Sequence, residues 1–354
     1  MKKQKICIIG GGLTGLMTAA TLSNLNLEID LITENSNQIT NSSRTTAVSQ
    51  ENYDFLEKIK VLKKNFWPCT KMKLYVDDEI KFLKVFEINK TNSKNKKIFY
   101  MVENKKLISD LNNIIKFSKL KKFLVKKKNT KIINANLLKG VKIEKKINSE
   151  YNLIIVCTGN NSQLTKNFIS EEIYKHSYDE IAITTVLKHE PLVNNTARQI
   201  FLDEEILALL PISNRKTSVV LSIKKNSFKE KINNVEIKKK ITVIAKNFLK
   251  KIEFISEFEI KELNLSIRKK YHSNRVLLFG DALHLVHPLA GQGTNMMLRD
   301  LKVLKEILNN KINLGLDVGA DDVMSEFEHM TKTKNFAYSL GIDFIRISFK
   351  FKKK

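Results

Sequence analysis

"KICIIGGGLTGLMTAATLSNLNLEIDLITEN", residues 5–35, decides the fold of this chain. Ile6, Cys7, Ile8 and Ile9 form an apolar run of strand length, too short for a buried helix. Gly10, Gly12 and Gly15 follow at G-x-G-x-x-G spacing, and Leu16, Ala19, Ala20 and Leu22 then recur as on one helix face. A second apolar strand closes the unit at 29–32. A glycine turn between strand and helix inside a βαβ unit is the arrangement that receives a dinucleotide. Gly10 serves the tight turn, Gly12 lets a pyrophosphate reach the main chain, and Gly15 lets the helix pack close to the strand. The helix start then offers unpaired N–H groups and a positive dipole end to the phosphates. Glu34, nineteen residues past Gly15, is the acid placed for the ribose hydroxyls. The fingerprint occurs once, so one tightly held nucleotide is expected.

A second stretch asks for the same kind of ligand. "GDALHLVHPLAGQGTN" (280–295) holds three of the twelve glycines of the chain, with Asp281, His284, His287 and Pro288. An apolar strand, "RVLLFG" (275–280), precedes Asp281, and an amphipathic helix, "MMLRDLKVLKEIL" (296–308), follows Asn295. Asp281 therefore stands at a strand's carboxyl end and Gly291 and Gly293 at a helix start, both nucleotide-binding positions in α/β folds. Glycine there lets main-chain N–H groups come close to a flat ring, and the helix dipole favours an anion.

These residues resemble the second FAD motif of the aromatic-ring flavoprotein monooxygenases, the para-hydroxybenzoate hydroxylase fold. The run "HPLAGQGTNMMLRD" is particularly similar to the ubiquinone-biosynthesis hydroxylases. "SSRTTAVS" (42–49), "YMVENKKLISDL" (100–111), "SYDEIAITTVLKHE" (177–190) and "ARQIFLDEEILALLPI" (197–212) are similar to further segments of that family, in the same order. The resemblance implies FAD as cofactor, with Asp281 at its ribitol or ribose and the loop from Pro288 through Gly291 and Gln292 to Gly293 along the isoalloxazine ring. It places Arg44 near the flavin, Asn104 and Asn295 facing the cofactor, and Gly159 in the loop that follows a central strand. It implies an α/β protein, a Rossmann-like FAD-binding domain interlocked with a smaller, mostly antiparallel β substrate domain. The FAD domain is expected over 1–69, 100–175 and 266–325, the substrate domain over 70–99 and 176–265, and a helix with a basic tail over 326–354. The activity implied is hydroxylation of the ring of a polyprenylated phenol by O2, with NAD(P)H as transient electron donor. His287 titrates near neutral pH and is the candidate for proton transfer at the ring; His284 reads as a packed histidine.

The chain departs from the family at some positions. Where the family carries Ala-Asp-Gly, it reads Cys157-Thr158-Gly159; Thr33 takes the register of the usual acid, with Glu34 one residue on. The family also continues further after the last helix. Two other readings therefore stand beside the monooxygenase: a flavin reductase of related fold, and a non-catalytic FAD-binding relative acting as an assembly partner. The flavin halogenases are disfavoured, since Trp67 is the one tryptophan and their two-tryptophan signature cannot be formed.

Composition bounds the rest. The 354 residues are 42% hydrophobic and 28% charged, ordinary for a globular protein. Lys+Arg of 62 against Asp+Glu of 37 gives +25, which admits an anionic partner. The excess is lysine, spread along the chain as in 119–131 and 236–241, and Phe123 is the one aromatic residue in those two runs. That pattern fits a solvated basic surface and no nucleic-acid partner, and leaves open an attraction to anionic membranes. Phe336, Leu340, Phe344 and Ile347 recur at helical spacing before "KFKKK", as in a terminal helix packed on the FAD domain with a solvated lysine tail, or in an interfacial helix. Peripheral contact of this kind, or membership of a ubiquinone-biosynthesis complex, would bring the enzyme to its substrate. No run spans a bilayer and the first residues read as a strand, so a cytoplasmic protein, peripheral on the inner membrane face, is expected. Cys7, Cys69 and Cys157 lack disulfide or zinc spacing and read as core residues. The six histidines show no metal-ligand spacing beyond His284 and His287.

Overall fold

The computed structural model describes residues 3–34, 43–77, 82–90, 97–118, 120–125, 130–134, 138–143, 147–160, 162, 164–165, 173–203, 205–226, 234–286 and 291–350. The first stretch folds as its pattern requires: β1 (Lys5–Ile9), α1 (Leu13–Leu22) and β2 (Glu28–Glu34). β1 and β2 are parallel neighbours, with Ile6 opposite Ile29 and Ile9 opposite Ile32. The other edge of β1 pairs in parallel with Leu153–Val156, which pairs in parallel with Val276–Leu278. A sheet of six described strands results, in the order His272–Ser273, Val276–Leu278, Leu153–Val156, β1, β2, Lys121–Val125. Its central strands have apolar residues on both faces and are almost wholly buried, as parallel sheets require. Lys121–Val125 is the edge strand, and its exposed Lys121 and Lys122 come from the basic run noted above. Lysines there keep an open edge from pairing with another chain.

A second, larger sheet of nine described strands is mostly antiparallel. Its centre is the long strand Ile173–Lys188 between Lys216–Lys224 and Glu259–Arg268. Thr196–Phe201, Ile206–Ser213, Lys71–Asp77 and Phe82–Asn89 extend it on one side, and the short His284–Leu285 closes the other. Alternation along each strand sorts side chains onto two faces. One face, with Ile183, Leu207, Val219 and Leu221, packs on Ile237 and Ile241 of the helix Asn234–Ala245. The other packs Leu74, Ala182, Phe201 and Ile206 against Val286, Met296 and Ile342, and so faces the stretch 280–295.

Helix Gln292–Asn313 begins four residues before the apolar pattern that announces it, because Gly291 adopts a left-handed conformation (φ 66°) and starts the turn. The last described helix, Asp321–Lys350, is inside-out over residues 331–340, before the buried Ile342. There the buried face is polar, with Thr331, Asn335 and Ser339 at 2% exposure or less, whereas Phe336, Leu340 and, a turn on, Phe344 are 49%, 48% and 72% exposed. The polar face closes on a buried chain of hydrogen bonds. Asp300 Oδ2 accepts from His284 Nε2 at 2.9 Å and from Asn335 Nδ2 at 2.8 Å. His284 is thus a packed histidine, tying the second motif to two helices. No described helix is long and apolar enough to cross a membrane.

Candidate cofactor site

Three glycines of the fingerprint have different duties. Gly10 has φ +134°, and a Cβ there would sit 2.5 Å from the carbonyl oxygen of Cys157. At Gly15 it would lie 1.9 Å from the carbonyl oxygen of Gly10, so helix and turn touch through backbone alone. Gly12 differs: nothing lies within 4 Å of its Cβ position, and as N-cap of α1 it gives no side-chain hydrogen bond. The first N–H groups of α1 thus meet open space, an anion-binding end held in place by Gly10 and Gly15. Glu34 is the last residue of β2. Thr33, its neighbour, is buried against Gly11, whose Cβ position is 2.8 Å from the Thr33 Cβ, so Thr33 serves packing.

The second motif is packed onto the first. Strand Val276–Leu278 runs into a turn at Gly280 (φ +64°), where a Cβ would meet Thr14 of α1 at 2.4 Å. Asp281 follows at the strand's carboxyl end, about half exposed, with its carboxylate 4.0 Å from Lys261 Nζ of the large sheet. Gly159 (φ +79°), after the strand Leu153–Val156, also faces open space. Gly10, Gly12, Gly159 and Asp281 therefore cluster at the carboxyl end of one parallel sheet, where α/β folds bind nucleotides.

A second group forms around Ala47. A Cβ on Gly291 would press on the Ala47 Cβ at 2.9 Å, while Gly293 meets only Val286 at 3.8 Å, and Gln292 opens the helix without a side-chain cap before it. Asn295 has its amide fully used: Oδ1 accepts from Ser49 N and Asn52 Nδ2, both at 2.9 Å, and Nδ2 donates to the Ala47 carbonyl at 3.0 Å. It positions the glycine loop and has no hydrogen bond left for a ligand. Arg44 lies one residue before the strand Thr45–Ser49, its Nε 3.1 Å from Glu259, and its carbonyl accepts from Asn104 N. Asn104 Oδ1 accepts from Thr46 Oγ1 at 2.7 Å. His287 and Pro288 lie outside the described residues.

After the strand Leu153–Val156, hydroxyls make a closed knot. Thr158 Oγ1 pairs with Ser162 Oγ at 2.5 Å, Ser162 pairs with Thr165, and Thr165 Oγ1 donates to the Gly159 carbonyl at 2.9 Å. The nearly buried Arg268 donates from Nε to the Ala282 carbonyl at 2.7 Å and reaches Asn160 Oδ1 at 3.5 Å, bracing the two loops. Burial lowers its guanidinium pKa. Sequence reading missed Lys261, Glu259, Thr14 and Arg268, because each matters through a partner far along the chain.

The profile of the FAD binding domain family matches residues 3–314. This chain belongs to that family. As a family member it resembles "Ubiquinone biosynthesis monooxygenase COQ6, mitochondrial" of Dictyostelium discoideum, 26% identical over 96% of this chain and 83% of that one. It also resembles the "3-demethoxyubiquinol 3-hydroxylase" of Escherichia coli, 24% identical over 56% of this chain and 50% of that one. Several other relatives are likewise matched over about half their length. Among solved structures, PqsL of Pseudomonas aeruginosa, "a probable FAD-dependent monooxygenase", superposes with a TM-score of 0.81 over 99% of this chain and 97% of that one, at 14% identity. The flavoprotein is an FAD-dependent monooxygenase, an oxidoreductase of α/β fold. The open helix end at Gly12, the uncrowded Gly159 and the glycine loop at Gly291 fit FAD.

Proposed function

We propose that this monooxygenase hydroxylates the aromatic ring of a polyprenylated phenol in ubiquinone biosynthesis, using NAD(P)H as transient electron donor. The observation that carries this reading is the placing of the second cofactor motif and of Arg44 against one face of the antiparallel sheet, as a ring held between flavin and sheet would need. The names of the relatives supply the substrate class. In this reading Gly10, Gly12 and Gly15 shape the pyrophosphate site, Glu34 and Asp281 hold hydroxyls of the cofactor, and Gly159 and Gly291 to Gly293 approach it by backbone. Arg44 and Asn104 flank the flavin, Asn295 holds its loop, and His287 moves a proton at the ring. Bound FAD supplies electron transfer and O2 activation, while the chain's residues fix position and exclude water. We assign the FAD-binding domain to the parallel sheet and the substrate domain to the large sheet.

The exposed stripe Phe336, Leu340, Phe344 favours peripheral contact with a membrane, where such a substrate resides. Residues 329–354 carry seven lysines and arginines against the one acid Asp343, which suits an anionic surface. Flotation with phosphatidylglycerol vesicles should carry the protein, and Phe336→Asp with Phe344→Asp should abolish it. Flotation unchanged in that variant would remove the membrane contact.

The test of the function is an anaerobic flavin spectrum before and after NADH or NADPH, followed by O2 and a prenylated phenol. Bleaching, then a product heavier by one oxygen atom, is expected. Bleaching without oxygen insertion would favour the reductase reading. A spectrum that persists with both donors would assign reduction to another donor, a reading that Thr158 in place of the acid favours.

A further inference from the structure

The register of the large sheet lays out its cofactor-side face in cross-strand rows. One row reads Leu74, Gln199, Ala208, Val220, Thr184 and Glu259, each opposite the next. The adjoining row reads Phe201, Ile206, Ser222 and Ala182. Glu259 at the end of the first row is the partner of Arg44, and Ser218, two residues before Val220, accepts from Thr45 Oγ1 at 2.9 Å. These rows therefore look at the strand that leads from Arg44, the flavin side of the cleft.

Two polar side chains in this apolar floor stand out. Gln199 is 8% exposed and Ser222 5% exposed, and neither side chain hydrogen-bonds to any described residue. The other polar groups of the face are used: Thr184 Oγ1 donates to the Glu259 carbonyl, and Ser218 accepts from Thr45. Neither is among the described side-chain polar atoms that are both shut off from water and unpaired, so the amide and the hydroxyl keep an opening to solvent through which a ligand can meet them. Between Gln199 and Ser222 runs the strand that carries Ala208, the smallest side chain of its row, which leaves depth there. The two groups stand two strands apart, on the order of 10 Å across the sheet. An apolar floor with a few convergent polar groups is how a site orients a mostly apolar ligand.

We propose that Gln199 recognises the ring oxygen of the substrate, with the Ser222 hydroxyl as a second partner, the ring lying over Ala208. This rests on the substrate reading above and names the residues that read it. The site then separates a phenol from the same molecule without its oxygen, because the second would leave the amide unpaired.

The experiment uses the FAD-loaded full chain and two probes, 2-geranylphenol and geranylbenzene, titrated against the flavin absorbance. The wild type should bind the phenol at least about tenfold more tightly. Gln199→Leu should bring the two affinities together by weakening the phenol alone, while the melting temperature holds, because the amide makes no hydrogen bond that the fold needs. Ser222→Ala should narrow the gap by less. A preference that survives in both variants overturns the assignment, as does an equal loss of both probes with a lowered melting temperature, which marks a packing role. A wild type that binds neither probe overturns the substrate reading together with the inference.

Discussion

Gly10 and Gly12 stand two residues apart in one turn, yet substitution should separate them cleanly. Gly10→Ala forces a Cβ against the Cys157 backbone at a positive φ, and should cost roughly 2–4 kcal/mol of stability. Gly12→Ala meets nothing within 4 Å, so the melting temperature of the FAD-free protein should stay within a degree or two. Its FAD dissociation constant should nevertheless rise at least about tenfold, since the methyl occupies the space before the helix end. Equal melting losses in the two variants would contradict this division. The cysteines are a second case at this scale. All three are buried, and burial pushes their thiols up, that of Cys157 to about 12. Because the thiolate is the reactive form, a thiol reagent should label none of them in the native protein and all three after denaturation. Fast native labelling of Cys157 would mean that the turn beneath Gly10 opens readily.

Helices and strands here are held by partners that their own sequence does not announce. The connection after helix Gln292–Asn313 is pinned by Asp317, whose carboxylate meets Arg275 at 2.6 Å, Asn152 Nδ2 at 3.1 Å and Gly319 N at 3.0 Å. Burial alone would raise its pKa, but the Arg275 guanidinium, the Gly319 N–H and the Asn152 amide outweigh that and hold it below the usual carboxylate range. A folded pKa below the unfolded one adds stability above the unfolded value, near 4, and loses it as pH falls through the folded value. Asp317→Asn should therefore destabilise by about 1 kcal/mol at pH 7, a modest figure because the carboxylate is partly exposed. Once the pH is below the folded pKa, the variant and the wild type should unfold alike. A difference that persists there would assign the effect to shape. The same scale shows what sequence could reveal. The unit β1, α1, β2 was legible because its signals are local: apolar runs, glycine spacing and helical periodicity within thirty residues. Asp281, Gly291 and Gly293 were legible because a strand and a helix flank them. The role of Asn295 as a clamp was not, since its partners Ser49 and Asn52 lie far away in sequence. The same holds for Gln199, which shows its lack of a partner only once the rows of the sheet are assembled.

For the whole molecule, the +25 charge and the inside-out helix act over different ranges. Charge attraction to an anionic vesicle weakens as the Debye length falls to ~3 Å at 1 M salt, whereas burial of Phe336 and Phe344 does not. Flotation should thus fall in part with salt, and a remainder should persist that depends on the two phenylalanines. Complete loss in salt would make the contact electrostatic alone. The interlocking of the sheets has a further consequence, for how the chain comes to be folded at all. β1 takes Leu153–Val156 as the neighbour on its inner edge, and that strand in turn waits for Val276–Leu278. At ~5–20 residues per second of synthesis, the wait before the first of these partners emerges is on the order of 10 s. During that time the apolar edge Ile6, Cys7, Ile8, Ile9 is unprotected on the ribosome, and the nucleotide turn at its end has no Cys157 to rest against. The first-made strand of the cofactor site is therefore among the last to be completed, and a nascent chain stalled before residue 153 should be held by chaperones and unable to retain FAD.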